Sequence, residues 1–287
     1  MKINKISPLE HDYLQILGSI AQSPKSLYFI GKLPTERKTT VAIVGTRKPT
    51  RYGEEVTHML AYELAKQGIV IVSGLALGVD AIAHKAALEA GGTTIAVLAN
   101  GLPKICPATN RDVAQKMCEQ GGAIISERGD SEDPRPYDFL TRNRIVSGLS
   151  DAVIITEAAA RSGTLNTASH ALEQGKEVFV VPGNITSPLS AGCNALIKQG
   201  ATPVTSTADI LAVIAPQTTT RTRQAVLPLG DTPEETAILS LIASGVRDGD
   251  ELQANANIPA QQFSMALTML EMNGVIRALG GNQWTLK

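Results

Sequence analysis

Cysteine is scarce in this sequence, and the spacing that would hold a zinc ion or a disulfide framework is missing. The 287 residues include only Cys106, Cys118 and Cys193, an odd number with no CxxC pair. A fold organised by disulfides or by structural zinc is therefore not expected, and the three thiols fit a reducing cytosol. The sequence predicts no metal centre.

Excess charge of either sign is also missing. Lys and Arg number 26 and Asp and Glu number 27, so the formal net charge is -1. A protein without a global basic field can bind nucleic acid only through a local patch of cations. Hydrophobic residues make up 43% of the chain, which is enough for a full globular core.

Long apolar runs are absent as well. No segment is apolar over the ~18 residues that a membrane span requires. The N-terminus carries Glu10, His11 and Asp12 inside its only apolar stretch, so it lacks the hydrophobic region of a signal peptide. The sequence therefore predicts a cytoplasmic protein that does not associate with membranes.

The segment 41–47, Val-Ala-Ile-Val-Gly-Thr-Arg, is the first strong structural signal. A short apolar run that ends at a glycine is typical of a buried strand in a parallel sheet. Tyr52 and Gly53 then begin an amphipathic helical stretch. Backbone N–H groups at a helix start, with Arg47 beside them, suit a phosphate group.

Strand and helix patterns alternate from residue 41 to residue 214, which predicts a doubly wound, mainly parallel α/β sheet. The predicted strands are 41–45, 69–73, 93–98, 122–126, 151–156, 177–181 and 202–205. The predicted helices are 54–67, 79–90, 110–120, 164–175 and 207–214, with a shorter one at 192–199. Residues 1–40 are interpreted as a helical lead-in, although 27–31 forms a short extended run.

Glycine-bearing turns follow five of the predicted strands. They are Gly45-Thr46-Arg47, 73–80, 100–102, 157–164 and 182–184. Ligands of doubly wound sheets bind beyond the carboxyl ends of the strands, where all five turns would lie. One such turn is weak evidence for a site, but five on one edge predict a cleft rich in exposed N–H groups.

Residues 127–150 interrupt the alternation with four arginines, at 128, 135, 142 and 144, and with Tyr137 and Phe139 between them. This mixture suits phosphate contact with base stacking, or alternatively a solvated loop with two core aromatics. A helix is expected to begin near Asn143, which would place Arg144 close to the cleft.

Two further segments complete the predicted domain organisation. Residues 215–230 are rich in threonine and bounded by prolines, so they are expected to form a linker that carries Arg221 and Arg223. Residues 231–287 read as three helices and a hairpin, the order of a winged helix. A DNA-reading winged helix should carry Lys or Arg on its third helix, and 259–273 has neither. A structural or protein-docking role is favoured, with DNA reading as the alternative.

Together these segments resemble the family of DNA processing protein A (DprA, also called Smf). The matching motifs, in order, are Gly45-Thr46-Arg47 with Tyr52-Gly53, Ser73-Gly74 with Gly78-Val79-Asp80, Arg142 to Ser150, Glu157-Ala158 with Ser162 to Leu165, Thr167-Ala168, Pro182-Gly183, and Gly192 with Asn194 to Ile197 and Gly200-Ala201. Their order and spacing match over roughly residues 25–215. The set is specific as an ensemble, although no single motif would be.

The resemblance implies that residues 41–214 form an extended Rossmann-like domain that binds single-stranded DNA, in a non-enzymatic protein without a cofactor. It implies a homodimer that protects incoming strands and loads the RecA recombinase onto them during natural transformation and homologous recombination. It also implies that residues 231–287 form the small winged helix that family members often carry. Two apolar segments, 171–181 and 189–197, are candidate dimer faces.

The resemblance also implies roles for individual residues. Arg47 would contact a phosphate inside the pocket, the Ser162–Thr164 turn would donate to another, and Arg144 would line the same cleft. Family members often have a basic residue near a Pro-x-x-Asn motif, which is 107–110 here with a neutral centre, so Lys104 or Arg111 is expected to substitute. The full predicted DNA- and phosphate-binding set is Gly45, Thr46, Arg47, Ser73, Gly74, Lys104, Arg111, Phe139, Asn143, Arg144, Ser162, Gly163, Thr164 and Gly183.

The main alternative is a Rossmann-type nucleotide hydrolase similar to the phosphoribohydrolases. Those enzymes place a catalytic Glu three residues after a Gly-Gly-x-Gly-Thr turn. Here the first Glu after Thr164 is Glu173, more than two helical turns along. A dinucleotide oxidoreductase is a weaker third option, because the first turn lacks GxGxxG and Ser73 stands where an acidic residue should close the second strand.

Overall fold

The computed structural model describes residues 2–129, 134–214 and 232–286. The chain forms two compact units that divide between Thr219 and Thr220. The predicted linker, with Arg221 and Arg223, lies outside the described residues.

The described strands of the first unit form one mainly parallel sheet. Over the described residues this sheet has nine strands in the order β1-β2-β6-β5-β4-β3-β7-β8-β9, and those from β3 to β9 run parallel to one another. The strands are β1 (Asn4–Ile6), β2 (Leu27–Gly31), β3 (Thr40–Val44), β4 (Val70–Ser73), β5 (Thr94–Leu98), β6 (Ala123–Ser126), β7 (Ala152–Ile155), β8 (Glu177–Val180) and β9 (Thr202–Pro203). Successive strands are added on one side of β3 up to β6 and on the other side from β7, so the strand order reverses between β3 and β7.

Helices cover both faces of the sheet, which confirms the doubly wound fold. They are α1 (Arg51–Lys66), α2 (Val79–Glu89), α3 (Arg111–Glu119), α4 (Pro136–Leu149), α5 (Thr164–Glu173), α6 (Ala191–Lys198) and α7 (Thr207–Ile214). Alternate residues of β3 enter different cores: Val41 and Ile43 pack with α1, α2 and α7, whereas Ala42 and Val44 pack with α4, α5 and α6. The period of two along each strand therefore builds two apolar layers.

The N-terminal segment differs from the helical lead-in expected from the sequence. It contributes β1 and β2 to the sheet, and β2 pairs antiparallel with β6. Its helical turns are short 3₁₀ segments at Pro8–Glu10 and Gln15–Ser19. Tyr13 and Leu17 are fully buried in the core. The predicted boundary at residue 40 therefore divides one continuous sheet, because the antiparallel partner of β2 is distant in sequence.

The helix around Arg142 begins earlier than predicted. It starts at Pro136 rather than near Asn143, and Asp138 accepts a hydrogen bond from the Arg135 backbone N–H at 2.7 Å. Proline at the first position and a carboxylate in the first turn both stabilise a helix start.

The second unit is a winged helix, as predicted. It contains α8 (Pro233–Ala243), α9 (Gly249–Ala256), α10 (Ala260–Met272) and a hairpin of β10 (Ile276–Gly280) and β11 (Gln283–Leu286). Thr232 caps α8 by accepting from the Glu235 N–H at 3.2 Å. Trp284 packs against the small core of this unit. Over the described residues of both units, no helix combines the length and the apolar character needed to cross a membrane.

Candidate nucleic-acid interface

A cavity of about 470 Å³ opens at the carboxyl edge of the sheet, beside the ends of β3 and β7. This is where the strand order reverses, the position at which open α/β sheets bind ligands. We call it the Arg47 cavity. Three of the five predicted glycine turns contribute to it, and α4 closes the opposite side. Its lining residues are Val44, Gly45, Thr46, Arg47, Ala76, Asp80, Pro136, Phe139, Leu140, Arg142, Asn143, Ser162, Gly163, Thr164 and Thr167.

The turn that carries Arg47 is held on both sides by backbone hydrogen bonds. The Thr46 N–H donates to the Glu157 carbonyl at 2.8 Å, and the Thr46 carbonyl accepts from the Val79 N–H at 3.2 Å. Gly78 has φ +73°, and a Cβ there would lie 2.5 Å from the Thr46 carbonyl oxygen. Only glycine permits this close approach, so the turn is rigid and its direction is set.

Arg47 itself remains accessible at the mouth of the cavity. Its guanidinium carbon lies 5.2 Å from the centre of the Phe139 ring, a cation–π contact. Among the residues that the structure describes, no carboxylate pairs with this guanidinium. An exposed cation beside an aromatic face can contact a phosphate while a base stacks nearby.

The Ser162–Thr164 turn forms another wall of the cavity and is tied to α4, because Asn143 Nδ2 donates to the Gly163 carbonyl at 3.5 Å. The Ser162 hydroxyl donates to the Thr164 hydroxyl at 3.0 Å, and the Thr164 hydroxyl donates to the Gly45 carbonyl at 3.0 Å. Both hydroxyl protons therefore hold the turn in place. Gly163 is exposed and precedes α5. The first N–H groups of α5 already have partners within the turn: the Thr164 N–H donates to the Ser162 hydroxyl at 3.2 Å, and the Leu165 N–H donates to the Ser162 carbonyl at 3.1 Å. The turn therefore shapes the cavity wall, and Arg47 is the part of the site best suited to an anion.

Arg142, which the sequence analysis did not select as a site residue, lies at the base of the cavity. Its Nη1 donates to the Gly74 carbonyl at 2.9 Å and to the Val97 carbonyl. Its Nε donates to Asn143 Oδ1 at 3.3 Å, and Asn143 Nδ2 donates to Asn166 Oδ1 at 3.3 Å. These contacts join the ends of β4 and β5 to α4 and α5.

A buried carboxylate stands near the Arg142 guanidinium. Asp80 accepts from the N–H groups of Gly74 and Ala76 at 3.1 and 3.3 Å. Burial raises the pKa of Asp80, and the positive charge of Arg142 opposes that rise. Burial likewise lowers the pKa of Arg142, with Asp80 opposing and Arg47 adding to the fall. Asp80 thus caps a turn, as Glu157 does by accepting from the Thr50 N–H and hydroxyl at 2.8 Å.

Several predicted site residues lie elsewhere. The prediction that Arg144 lines the same cleft is wrong: its side chain is 9% exposed and donates to both carboxylate oxygens of Glu127, at 2.8 and 2.9 Å. Ser73 is fully buried and donates to the Ile43 carbonyl, and Gly74 packs against the Arg142 guanidinium. Both residues lie beneath the lining of the cavity and do not face its interior.

The remaining predicted residues lie on neighbouring turns of the same edge. Gly183 lines a separate cavity with Thr50, Tyr52 and Glu157. Lys104 and Arg111 are exposed around the turn after β5. Asn110 Nδ2 donates to the carbonyls of Leu75 and Ala76, which ties this turn to the rim of the Arg47 cavity.

A doubly wound sheet with a cavity where its strand order reverses, together with a winged helix, defines a Rossmann-like α/β protein with an accessory winged-helix unit. Residues 4–215 match the family model of DNA recombination-mediator protein A, and residues 215–282 match the DprA winged helix domain. The chain therefore belongs to the DprA/Smf family.

Individual relatives agree with this assignment. Protein Smf of Escherichia coli K12 is 40% identical over 276 residues, which cover 92% of this chain and 72% of the relative. DNA processing protein DprA of Bacillus subtilis is 42% identical over 209 residues, 72% of this chain and 70% of the relative.

Two solved structures share both fold and sequence. DprA from Streptococcus pneumoniae has a TM-score of 0.69 and 39% identity, with 75% of each chain covered. DprA from Helicobacter pylori has a TM-score of 0.66 and 35% identity, covering 76% of this chain and 97% of the other, and is described as having a unique single-stranded DNA binding mode.

Proposed function

We propose that this chain is a non-enzymatic recombination mediator that binds single-stranded DNA at the carboxyl edge of its sheet. The observation that carries the proposal is the exposed Arg47 guanidinium against the Phe139 ring, at the mouth of a cavity of about 470 Å³. The single-strand binding described for the Helicobacter pylori relative supports it.

The geometry favours an unpaired strand over a duplex. An aromatic ring can stack on a base only when the base is free of its helical neighbours. Phe139 stands at the cavity wall and is only partly exposed, so a base must enter the cavity to reach its ring. The exposed guanidinium of Arg47, at the mouth of the cavity, can then contact a connecting phosphate. Such contacts are tolerant of sequence because every base has a π-face.

The test is binding of fluorescent single-stranded and duplex oligonucleotides across a salt series, with Arg47→Ala and Arg51→Ala. Arg51 is a matched control, because it is an exposed arginine that pairs with Glu55 and does not line the cavity. Wild type should prefer the single strand. Arg47→Ala should weaken binding and lower the slope of log K against log salt by ~0.7, since one phosphate contact is lost.

Unchanged affinity in a folded Arg47→Ala protein would refute the site. An equal loss in both variants would mean that the cations act only through overall charge. Preference for the duplex would refute the single-strand assignment.

The proposal includes no catalytic step. Glu173 is the first Glu after the Ser162–Thr164 turn and the last residue of α5. At 1.5 Å per residue it lies ~14 Å along the helix from Thr164, too far to act on a group bound at the turn. Asp80 does line the cavity, but its Oδ2 is occupied by two backbone N–H groups. Release of free base from a nucleoside monophosphate by the purified protein would overturn this part of the proposal.

The winged helix is proposed to have a structural or protein-docking role. Within residues 232–286, acidic residues outnumber basic ones: the acidic ones are Glu234, Glu235, Asp248, Asp250, Glu251 and Glu271, and the basic ones are Arg247 and Arg277. The third helix, α10, exposes Met265 and Met272 instead of cations. A phosphate backbone would be repelled by this balance of charge.

We further propose, from family membership, that the protein acts as a cytoplasmic homodimer that protects incoming strands and loads RecA onto them. Of the two candidate dimer faces, the one at 171–181 exposes Leu172 by 58%. Sedimentation of wild type and Leu172→Glu tests that face, and RecA filament assembly on protein-coated single strands tests the loading step. A wild-type monomer at micromolar concentration would contradict the dimer.

A further inference from the structure

A second cavity, of about 290 Å³, lies on the other side of the first turns of α4. We call it the Tyr137 cavity. Its lining residues are Leu98, Ala99, Ser126, Glu127, Arg128, Tyr137, Asp138, Thr141, Arg142 and Ile145. None of the DNA-binding residues predicted from the sequence belongs to it.

Helix α4 is the wall between the two cavities, and its residues divide by helical spacing. Tyr137, Thr141 and Ile145 follow one another every four residues and line the Tyr137 cavity. Phe139 and Asn143, also four residues apart, line the Arg47 cavity. Residues four apart lie on one face of a helix, so α4 presents an aromatic ring to each side. Arg142 lines both cavities and connects them at their base.

The ring of Tyr137 is accessible at the rim of the cavity. The residue is 73% exposed, whereas Ile145 is buried below it. Leu98 and Ala99, also buried, complete an apolar base. A flat aromatic guest would therefore find an aromatic face at the rim and aliphatic contacts beneath.

The charges around the Tyr137 cavity are paired within the protein. Arg128 Nη2 donates to Asp138 Oδ1 at 2.6 Å, and Glu127 accepts from Arg144. Of the lining residues, Arg128 and Arg142 are balanced by Glu127 and Asp138. A balanced, partly apolar cavity favours a neutral group over a phosphate, because a phosphate would have to displace Asp138 from Arg128, and Arg142 is already bonded to the Gly74 and Val97 carbonyls beside Asp80.

We propose that the Tyr137 cavity takes a second nucleobase of the same single strand, stacked on Tyr137, so that the first turns of α4 separate two unstacked bases. The strand would place one base beside Phe139 and another beside Tyr137, and its backbone would cross the start of α4 between them. This inference rests on the proposed function and extends its site by one base-binding position. Its volume of about 290 Å³ lies just below the ~300–1,000 Å³ typical of ligand pockets, which suits one base.

The test compares Tyr137→Ala, Tyr137→Phe and the remote control Tyr62→Ala in the full chain. Each is titrated with single-stranded oligonucleotides that carry 2-aminopurine at successive positions. Tyr137→Ala should weaken binding about 5- to 150-fold, the loss of one stacked base, and should abolish the fluorescence change at one position. Tyr137→Phe keeps the ring and should stay within about twofold of wild type. Tyr62, on α1, should have no effect.

The salt dependence separates this proposal from the proposed function. Loss of a stacking contact should leave the salt slope of Tyr137→Ala equal to that of wild type, whereas Arg47→Ala should lower it. Equal affinity of Tyr137→Ala and wild type, with Arg47→Ala still impaired, would overturn the second base position and leave the Arg47 site intact. A reduced salt slope in Tyr137→Ala would also overturn it. Failure of every form, including wild type, to bind single strands would remove the proposed function itself.

Discussion

Replacing Arg142 by leucine should destabilise the first unit because two buried carbonyls lose a charged donor. Arg142 is 8% exposed and donates to the carbonyls of Gly74 and Val97. Hydrogen bonds from charged groups contribute about 1.5–3 kcal/mol each, which gives roughly 3–6 kcal/mol for the pair. Burying the guanidinium costs desolvation free energy, and leucine does not incur that cost, which offsets part of the loss. We therefore expect the free energy of unfolding to fall by about 3–5 kcal/mol.

Asp80 gives this prediction a characteristic pH dependence. The pKa of Asp80 is raised by burial and held back by Arg142, so Arg142→Leu should raise it further. A carboxyl whose folded-state pKa exceeds its unfolded value costs stability above the folded pKa and regains it as the pH falls through that value. The stability deficit of Arg142→Leu should therefore shrink at acid pH. Asp80→Asn combined with Arg142→Leu should recover part of the loss at neutral pH.

The assay is equilibrium urea unfolding of wild type, both single variants and the double variant, followed by far-ultraviolet circular dichroism. The only tryptophan, Trp284, lies in the winged-helix unit, so its fluorescence provides an internal control that should be unchanged. A coupling energy between the two positions below about 0.5 kcal/mol would show that Arg142 and Asp80 do not form one network, because residues in one buried network are expected to interact more strongly.

Two further predictions concern buried histidine and the turn of Arg47. Burial, with the charge of Arg142 adding to it, lowers the pKa of His84 from 6.5 to about 3. Because the unfolded chain takes up a proton at this histidine before the folded protein does, the free energy of unfolding is unaffected by His84 above pH 6.5. It falls by about 1.4 kcal/mol per pH unit between pH 6.5 and pH 3. His84→Leu should remove about 2 kcal/mol of the change in unfolding free energy between pH 7 and pH 5, and parallel curves for the two proteins would contradict this. Gly78→Ala should displace the Arg47 turn and reduce single-strand affinity, whereas Gly68→Ala, with a similar φ of +82° but open space around its Cβ, should lower stability alone. Equal affinities of these two variants in the binding assay would show that the turn does not position Arg47.

The central strands could be predicted from sequence because they are buried on both faces. Segments such as 41–45 and 151–156 read as continuous apolar runs, and the structure places β3 and β7 there within one or two residues. The pairing of β2 with β6 could not be predicted in this way, because an antiparallel contact between residues about 95 positions apart leaves no local pattern. The reversal of strand order between β3 and β7, which locates the cavity, is likewise a tertiary property.

Which of Arg142 and Arg144 faces the cavity could not be predicted from the sequence. Arg142 and Arg144 are two positions apart, and residues with that spacing on an α-helix point about 200° away from each other. The rotation of the helix therefore decides which of the two side chains faces the cavity. The residue before Pro136 is Arg135, which is not a common N-cap residue, so the sequence carries no N-cap signal at the observed start of α4. The structure turns Arg142 towards the cavity and Arg144 towards Glu127. The spacing of three residues from Phe139 was the available signal for Arg142.

Photo-cross-linking of a single strand that contains 5-iodouracil, followed by mass spectrometry of the linked peptides, shows whether a base enters the Arg47 cavity. Stacking brings the modified base against an aromatic ring, so we expect cross-links at Phe139 within α4. Cross-links confined to Trp284 in the winged helix, or to Tyr62 on α1, would contradict it.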